Sequence, residues 1–207
     1  MGVTTLRVNL TDEDIRSLIR GESDEDKAMA CFRLCRRIET ADLDDKERRF
    51  AEEILRLVVS GAAERVRRAL AVTLKSSPNL PSDVASKLAR DIDAIAMPIL
   101  ENSPSLTDED LIEIIEAAEP ARQLAVARRS NLSVGVTDAM CEHSISEVIT
   151  TALRNITNQF SEDGLTTAIE RYPSAQDMAI AMVERPILPI NVAEKIAAKF
   201  SGIVFDK

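Results

Sequence analysis

Cys141, Glu142 and His143 are consecutive, and a thiol beside an imidazole is the raw material of nucleophilic catalysis. Catalysis by such a pair needs spatial contact and a third group to orient the base. Neighbours on one helix point about 100° apart, which argues against that contact. Cys141 also falls at a position that is apolar in related segments of the chain, so a core role is expected. His143 is expected at or just after a helix end, where a cation is favoured. Cys31 and Cys35 are four residues apart on a predicted helix and share a face, as two metal ligands would. A zinc site takes about four ligands, and His143 is the only histidine in the chain. Both cysteines are therefore expected as core residues. No glycine-rich phosphate loop exists, and the six glycines are dispersed. The expectation is a protein that is not an enzyme, with no catalytic, metal or cofactor-binding residue.

The remaining chemistry lies in charge. Residues 91–120 hold nine acids and no base, whereas residues 61–90 hold six bases and two acids. Glu109, Glu113 and Glu116 are spaced four and three apart, which sets them on one exposed helix face. They read either as solvated helix surface or as an electrostatic contact for a basic partner. Arg67, Arg68, Arg128 and Arg129 are the basic counterpart. Stacked into a ridge, they could meet nucleic acid, as in HEAT-like enzymes that excise damaged bases. Those enzymes also need aromatic residues beside the base, and this chain has no Trp and one Tyr, Tyr172, which precedes a proline. Ion pairs with acids of the following segment, Asp91, Asp93 and Glu119, are the simpler account. The seven residues stand as candidate protein-binding positions. The net charge of -9 also argues against a general polyanion binder.

The elements that carry these residues are marked by a recurring break. A Pro, Ser and Asn cluster around one apolar residue falls at Leu80, Leu106, Leu132, Phe160 and Leu188, at intervals of 26, 26, 28 and 28 residues. Proline lacks an amide hydrogen and disfavours helix in the residue before it. After each break a second helix begins. Thr107 with Asp110 fits a capping box, Ser133 and Ser161 hold the same place, and Pro81 and Pro189 suit a first turn. Three columns then follow at helical spacing: Ala85, Leu111, Thr137, Leu165, Ala193; Leu88, Ile114, Met140, Ala168, Ile196; and Ala89, Ile115, Cys141, Ile169, Ala197. First helices are marked by Val66, Ala69, Leu70, Thr73 and Leu74; by Ile92, Ile95, Ala96, Ile99 and Leu100; and by Ala118, Ala121, Ala125 and Val126. The fourth and fifth span roughly 145–156 and 175–183. Pro98 is expected to kink its helix or to move the helix start.

A register of this length predicts an all-α fold, an α-solenoid of HEAT-like helical pairs with an N-terminal helical cap. The cap covers residues 1–60, with helices at 12–20, 24–38 and 44–59. Ala28, Phe32 and Cys35, with Leu34 or Ile38, should face inward in the second of these, and Phe50, Ile54, Leu57 and Val58 in the third. Residues 61–200 hold five repeats. Residues 201–207 form an apolar tail that could dock, fold back or begin a further segment. Three cysteines make no disulfide scaffold, and no signal peptide or membrane-length apolar run is present, so a cytoplasmic protein without membrane insertion is expected.

The run Val66-Arg67-Arg68-Ala69-Leu70-Ala71 followed by Ser77-Pro78-Asn79-Leu80-Pro81 resembles HEAT-like and leucine-rich-variant repeats. Over residues 25–207 the chain is similar to an alphaproteobacterial family of uncharacterised proteins, domain of unknown function 2336. Residues 67–81, 103–113, 123–133 and 181–197 carry the likeness. The resemblance implies a HEAT-like array of bacterial origin and supplies no catalytic residue. The function expected is a non-enzymatic protein–protein interaction module, a signalling adaptor or scaffold. The alternatives are nucleic-acid binding or DNA repair, and a purely structural domain of a longer protein. Neither the partner's identity nor the oligomeric state is readable from the residues.

Overall fold

The computed structural model describes residues 23–40 and 44–200. Twelve α-helices and no strand occur among them. They are α1 (Asp24–Thr40), α2 (Asp45–Gly61), α3 (Glu64–Leu74), α4 (Ser82–Ala89), α5 (Asp93–Asn102), α6 (Asp108–Ala117), α7 (Pro120–Ala127), α8 (Val134–His143), α9 (Ser146–Arg154), α10 (Glu162–Arg171), α11 (Gln176–Val183) and α12 (Ile190–Phe200). The expected helix at 12–20 and the apolar tail at 201–207 lie outside the described residues.

The chain divides into two compact units, residues 1–106 and 107–207. In the first, α1, α3 and α5 pack one after another as a row, and α2 packs on α4. In the second, α7, α9 and α11 form one row and α6, α8, α10 and α12 the other. In each unit a helix lies against the helix two places along the chain. That is the contact pattern which repeated helical pairs produce.

Capping explains where the second helices start. Thr107 accepts from Asp110 N while the Asp110 carboxylate accepts from Thr107 N, a complete capping box on α6. Ser133 caps α8 through Val136 N, and Ser161 caps α10 through Gly164 N at 2.8 Å. Pro81 stands one residue earlier than expected, at the cap position of α4 itself. The first helices α3, α5, α7, α9 and α11 have no side-chain cap. An acid in the first turn of α3, α5, α9 and α11 offsets their positive ends instead. Pro98 does not end its helix: α5 begins at Asp93 and runs through it to Asn102. The proline stands in the helix interior, where its missing amide removes the bond that would reach back to Ala94 O.

The three columns form the core through α10. Ala85, Leu111, Thr137 and Leu165 are buried, as are Leu88, Ile114, Met140 and Ala168, and Ala89, Ile115, Cys141 and Ile169. Removing one such leucine or isoleucine from water is worth about 1.5–3 kcal/mol. Thr137 is tolerated because its hydroxyl donates to Gln159 O at 2.5 Å. In α12 the pattern changes: Ile196 is buried, but Ala193 and Ala197 are exposed. α12 packs on α10 and α11 through Val192 and Ile196, and no further described helix covers its other side.

Four inward faces differ from expectation. In α1 the buried set is Ala30, Cys31, Leu34, Cys35 and Ile38, while Phe32 is 41% exposed. In α2 it is Ala51, Leu55 and Val59, while Leu57 is 68% exposed. Both helices carry two competing apolar stripes, and packing against α3 and α4 selects between them. Ile92 precedes α5 as its cap residue and is exposed. In α7, Gln123 is buried where Ala121 was expected, because its amide donates to Ile115 O at 2.6 Å and closes the end of α6.

Candidate functional site

The structure places the acidic stripe where the spacing predicts it. Glu109, Glu113 and Glu116 are all exposed on α6. At the C-terminal end of this stripe, Glu116 Oε1 lies 4.0 Å from His143 Nε2 on α8, and Glu142 Oε2 lies 3.9 Å from the same nitrogen. The register shows how far α6 departs from its neighbours. The matching positions are Asp83, Lys87 and Arg90 on α4; Gly135, Ala139 and Glu142 on α8; and Asp163, Thr167 and Glu170 on α10. Only α6 among these four helices carries three acids there.

The arginines are distributed differently. Arg67 Nε donates to Asp91 Oδ2 at 2.6 Å and its Nη2 to Asp91 Oδ1 at 3.0 Å, while Nη1 donates to Ala62 O at 2.7 Å. The Asp91 hydrogen bonds raise its pKa above the ordinary arginine value. This fork joins the linkers that enter α3 and α5, as the simpler reading of the arginines required. Arg68 is exposed on α3, and Arg128 is exposed at the end of α7. Arg129 is half-buried, and loss of solvent lowers its pKa. Arg67 and Arg68 belong to the first unit, and Arg128 and Arg129 to the second.

The three cysteine side chains are buried. Cys141 is fully buried, and burial pushes its thiol up to about 12. Cys35 is also raised, first by its hydrogen bond with Cys31 and then by burial. All three cysteines are free thiols. Among the described residues, no group of three His, Cys, Asp or Glu side chains could hold a metal ion.

Two features of the second unit were not anticipated. One is a set of arginine clasps on helix ends. Arg185 donates to Leu153 O at 2.8 Å, Asn155 O at 3.2 Å and Asn158 O at 2.5 Å, and its guanidinium lies 4.9 Å from the Phe160 ring centroid. Arg171 Nη1 donates to Cys141 O and Ser144 O, and Tyr172 Oη donates to Ser144 O. These carbonyls close α9 and α8, and the clasps add to the one backbone bond among them, from Asn158 N to Asn155 O. A second interlock joins α8 to α10: Ser161 Oγ donates to Asp138 Oδ1 at 2.8 Å, directly over Gly164.

The other feature is a groove of about 660 Å³ between α9 and the start of α11. Ser146, Glu147, Thr150, Thr151 and Arg154 line one wall, and Ser174, Ala175, Gln176, Asp177 and Met178 the other. The groove opens where the link between helical pairs is longest. Four residues, Tyr172 to Ala175, join α10 to α11, whereas two join α6 to α7 and two join α8 to α9. Only that irregular length signals the groove in the sequence.

Residues 95–207 match the model of a family described as an uncharacterised protein conserved in bacteria, DUF2336. The chain belongs to this family. The DUF2336 match spans α6 to α12, with the acidic stripe, the arginine clasps and the groove, and takes in most of α5. No curated protein and no solved structure matches the chain. Among the described residues of this DUF2336 chain, no helix is long and apolar enough to cross a membrane.

Proposed function

We propose that the chain is a non-enzymatic protein-interaction module, a cytoplasmic bacterial adaptor or scaffold. Its helical pairs build a HEAT-like α-solenoid, with α1 and α2 in the N-terminal cap. The observation that carries this reading is the contrast on α6. Its inward columns keep the repeat register, while its outward stripe, Glu109, Glu113 and Glu116, departs from the pattern of α4, α8 and α10. Core positions held constant beside a surface that changes from unit to unit is how repeat arrays present a partner-specific face. The acids make that partner basic, and the contact one that salt weakens. Of the arginine candidates, Arg67 serves the internal fork with Asp91, which leaves the exposed Arg68 and Arg128 as the basic surface positions.

The test is quantitative capture of partners from the native cell, with intact protein and with Glu109→Lys, Glu113→Lys and Glu116→Lys combined. The triple variant should melt within about 6 °C of the parent, because exposed substitutions change stability by about 0.5 kcal/mol or less each. It should lose basic partners that the parent releases between about 0.05 and 0.5 M salt. An unchanged set of partners would reject the acidic stripe as the contact.

A further inference from the structure

We propose that the groove between α9 and α11 binds an extended peptide segment carrying a lysine or arginine and, three residues away, a carboxylate. This rests on the protein-binding reading but uses residues apart from the α6 stripe. Its lining excludes other occupants. No aromatic side chain is present to stack a sugar or a base, and a single guanidinium beside two carboxylates repels a polyphosphate. Few apolar groups line it, which excludes a lipid chain or a drug-like hydrophobe.

The charged groups are separated along the groove. Glu147 stands in the first turn of α9 and Asp177 in the first turn of α11. Arg154 closes the far end of α9. Seven residues of helix separate Glu147 from Arg154, about 10 Å of rise. Three residues of extended chain span the same ~10 Å. Among the described residues, Glu147, Arg154 and Asp177 make no ion pair with one another or with a neighbour. In the same unit Lys195 pairs with Glu170 and Asn191 donates to Glu162. Thr150 and Thr151 turn their hydroxyl hydrogens back to Ser146 O and Glu147 O. With their hydrogens used, the hydroxyl oxygens of these two lining residues can only accept.

The experiment is fluorescence anisotropy on the full chain with a labelled peptide containing Lys-Ala-Ser-Glu. A second peptide has Lys and Glu replaced by Ser, and N-acetyl-lysinamide serves as competitor. The first peptide should bind at least about ten-fold more tightly than the serine control. Glu147→Lys with Asp177→Lys should weaken binding about ten-fold or more, and so should Arg154→Glu alone. The peptide with its two charges exchanged should regain affinity for the variant that carries all three reversals. The α6 triple reversal should leave this binding unchanged, so failure of the stripe and failure of the groove are separate results. Equal affinity for both peptides, or no effect of the groove substitutions in variants with unaltered circular dichroism, would overturn the proposal. Displacement by N-acetyl-lysinamide at the peptide's own concentration would overturn it in favour of a free small amine.

Discussion

Gly164 lies in the first turn of α10, where alanine would ordinarily stabilise a helix by about 1 kcal/mol. Here the sign should reverse. A Cβ at Gly164 would overlap Asp138 Oδ1 and lie 3.1 Å from both Asp138 Cγ and Ser161 Oγ. The Asp138 carboxylate must then swing away and abandon the 2.8 Å hydrogen bond from Ser161. A bond to a charged group is worth about 1.5–3 kcal/mol. Subtracting the helix gain leaves Gly164→Ala less stable by about 0.5–2 kcal/mol. In an Asp138→Ala background only the 3.1 Å contact with Ser161 Oγ remains, which a small shift of that side chain relieves, and the same substitution should stabilise by about 0.5–1 kcal/mol. Urea unfolding of the four proteins closes a double-mutant cycle with a coupling of about 1.5–3 kcal/mol. A stabilising Gly164→Ala in the parent chain, or additivity within about 0.5 kcal/mol, would refute the reasoning.

Three further outcomes follow from the geometry. Arg185→Met keeps the stem but leaves the carbonyls of Leu153 and Asn158 without their donor, while Asn155 O keeps Asn158 N, and should destabilise by about 2–4 kcal/mol in urea melts; Arg185→Lys should recover less than half of that. The folded chain at pH 8 should leave Cys31, Cys35 and Cys141 unlabelled by iodoacetamide over an hour and label all three in denaturant, read by mass, since each is fully buried. Asp83 is held below its ordinary pKa by the Arg56 hydrogen bond, so the pair's contribution is complete above the unfolded value and is lost as pH falls through the folded one. Parent and Asp83→Asn should therefore differ in melting temperature at about pH 6 and converge as acid takes the pH below the lowered Asp83 pKa.

The second helices were the most legible part of the chain. Thr107, Ser133 and Ser161 announce their starts by a local bond that any sequence can show, and the columns behind them repeat at fixed spacing. The faces of α1 and α2 were legible only as helices. Phe50, Ile54 and Leu57 compete with Ala51, Leu55 and Val59, and the winner depends on partners distant in the chain. The acidic stripe could be read because charge and spacing lie within one helix. The groove could not, since Glu147 and Asp177 come from different helical pairs and are brought to one space by the four-residue link at Tyr172 to Ala175. Arg185 was hidden for a related reason: nothing near it in sequence reveals three carbonyls waiting 27 to 32 residues upstream.

The Arg185 clasp limits how this array can change over evolutionary time. Helical repeats are commonly gained and lost as whole modules, because each touches only its neighbours through apolar surface. Here the fifth pair also completes the hydrogen bonding of the turn that ends α9. Deleting it would uncover Leu165 and Ile169 and at the same time strand the carbonyls of Leu153 and Asn158. Inserting a copy between the two pairs would require the newcomer to carry an arginine at the same place. The position matching Arg185 is Thr157 in the fourth unit and Arg129 in the third. A duplicate of the third unit would thus bring a suitable donor, and a duplicate of the fourth would not. The modules are ordered, and their order is written in which of them can close the helix before it.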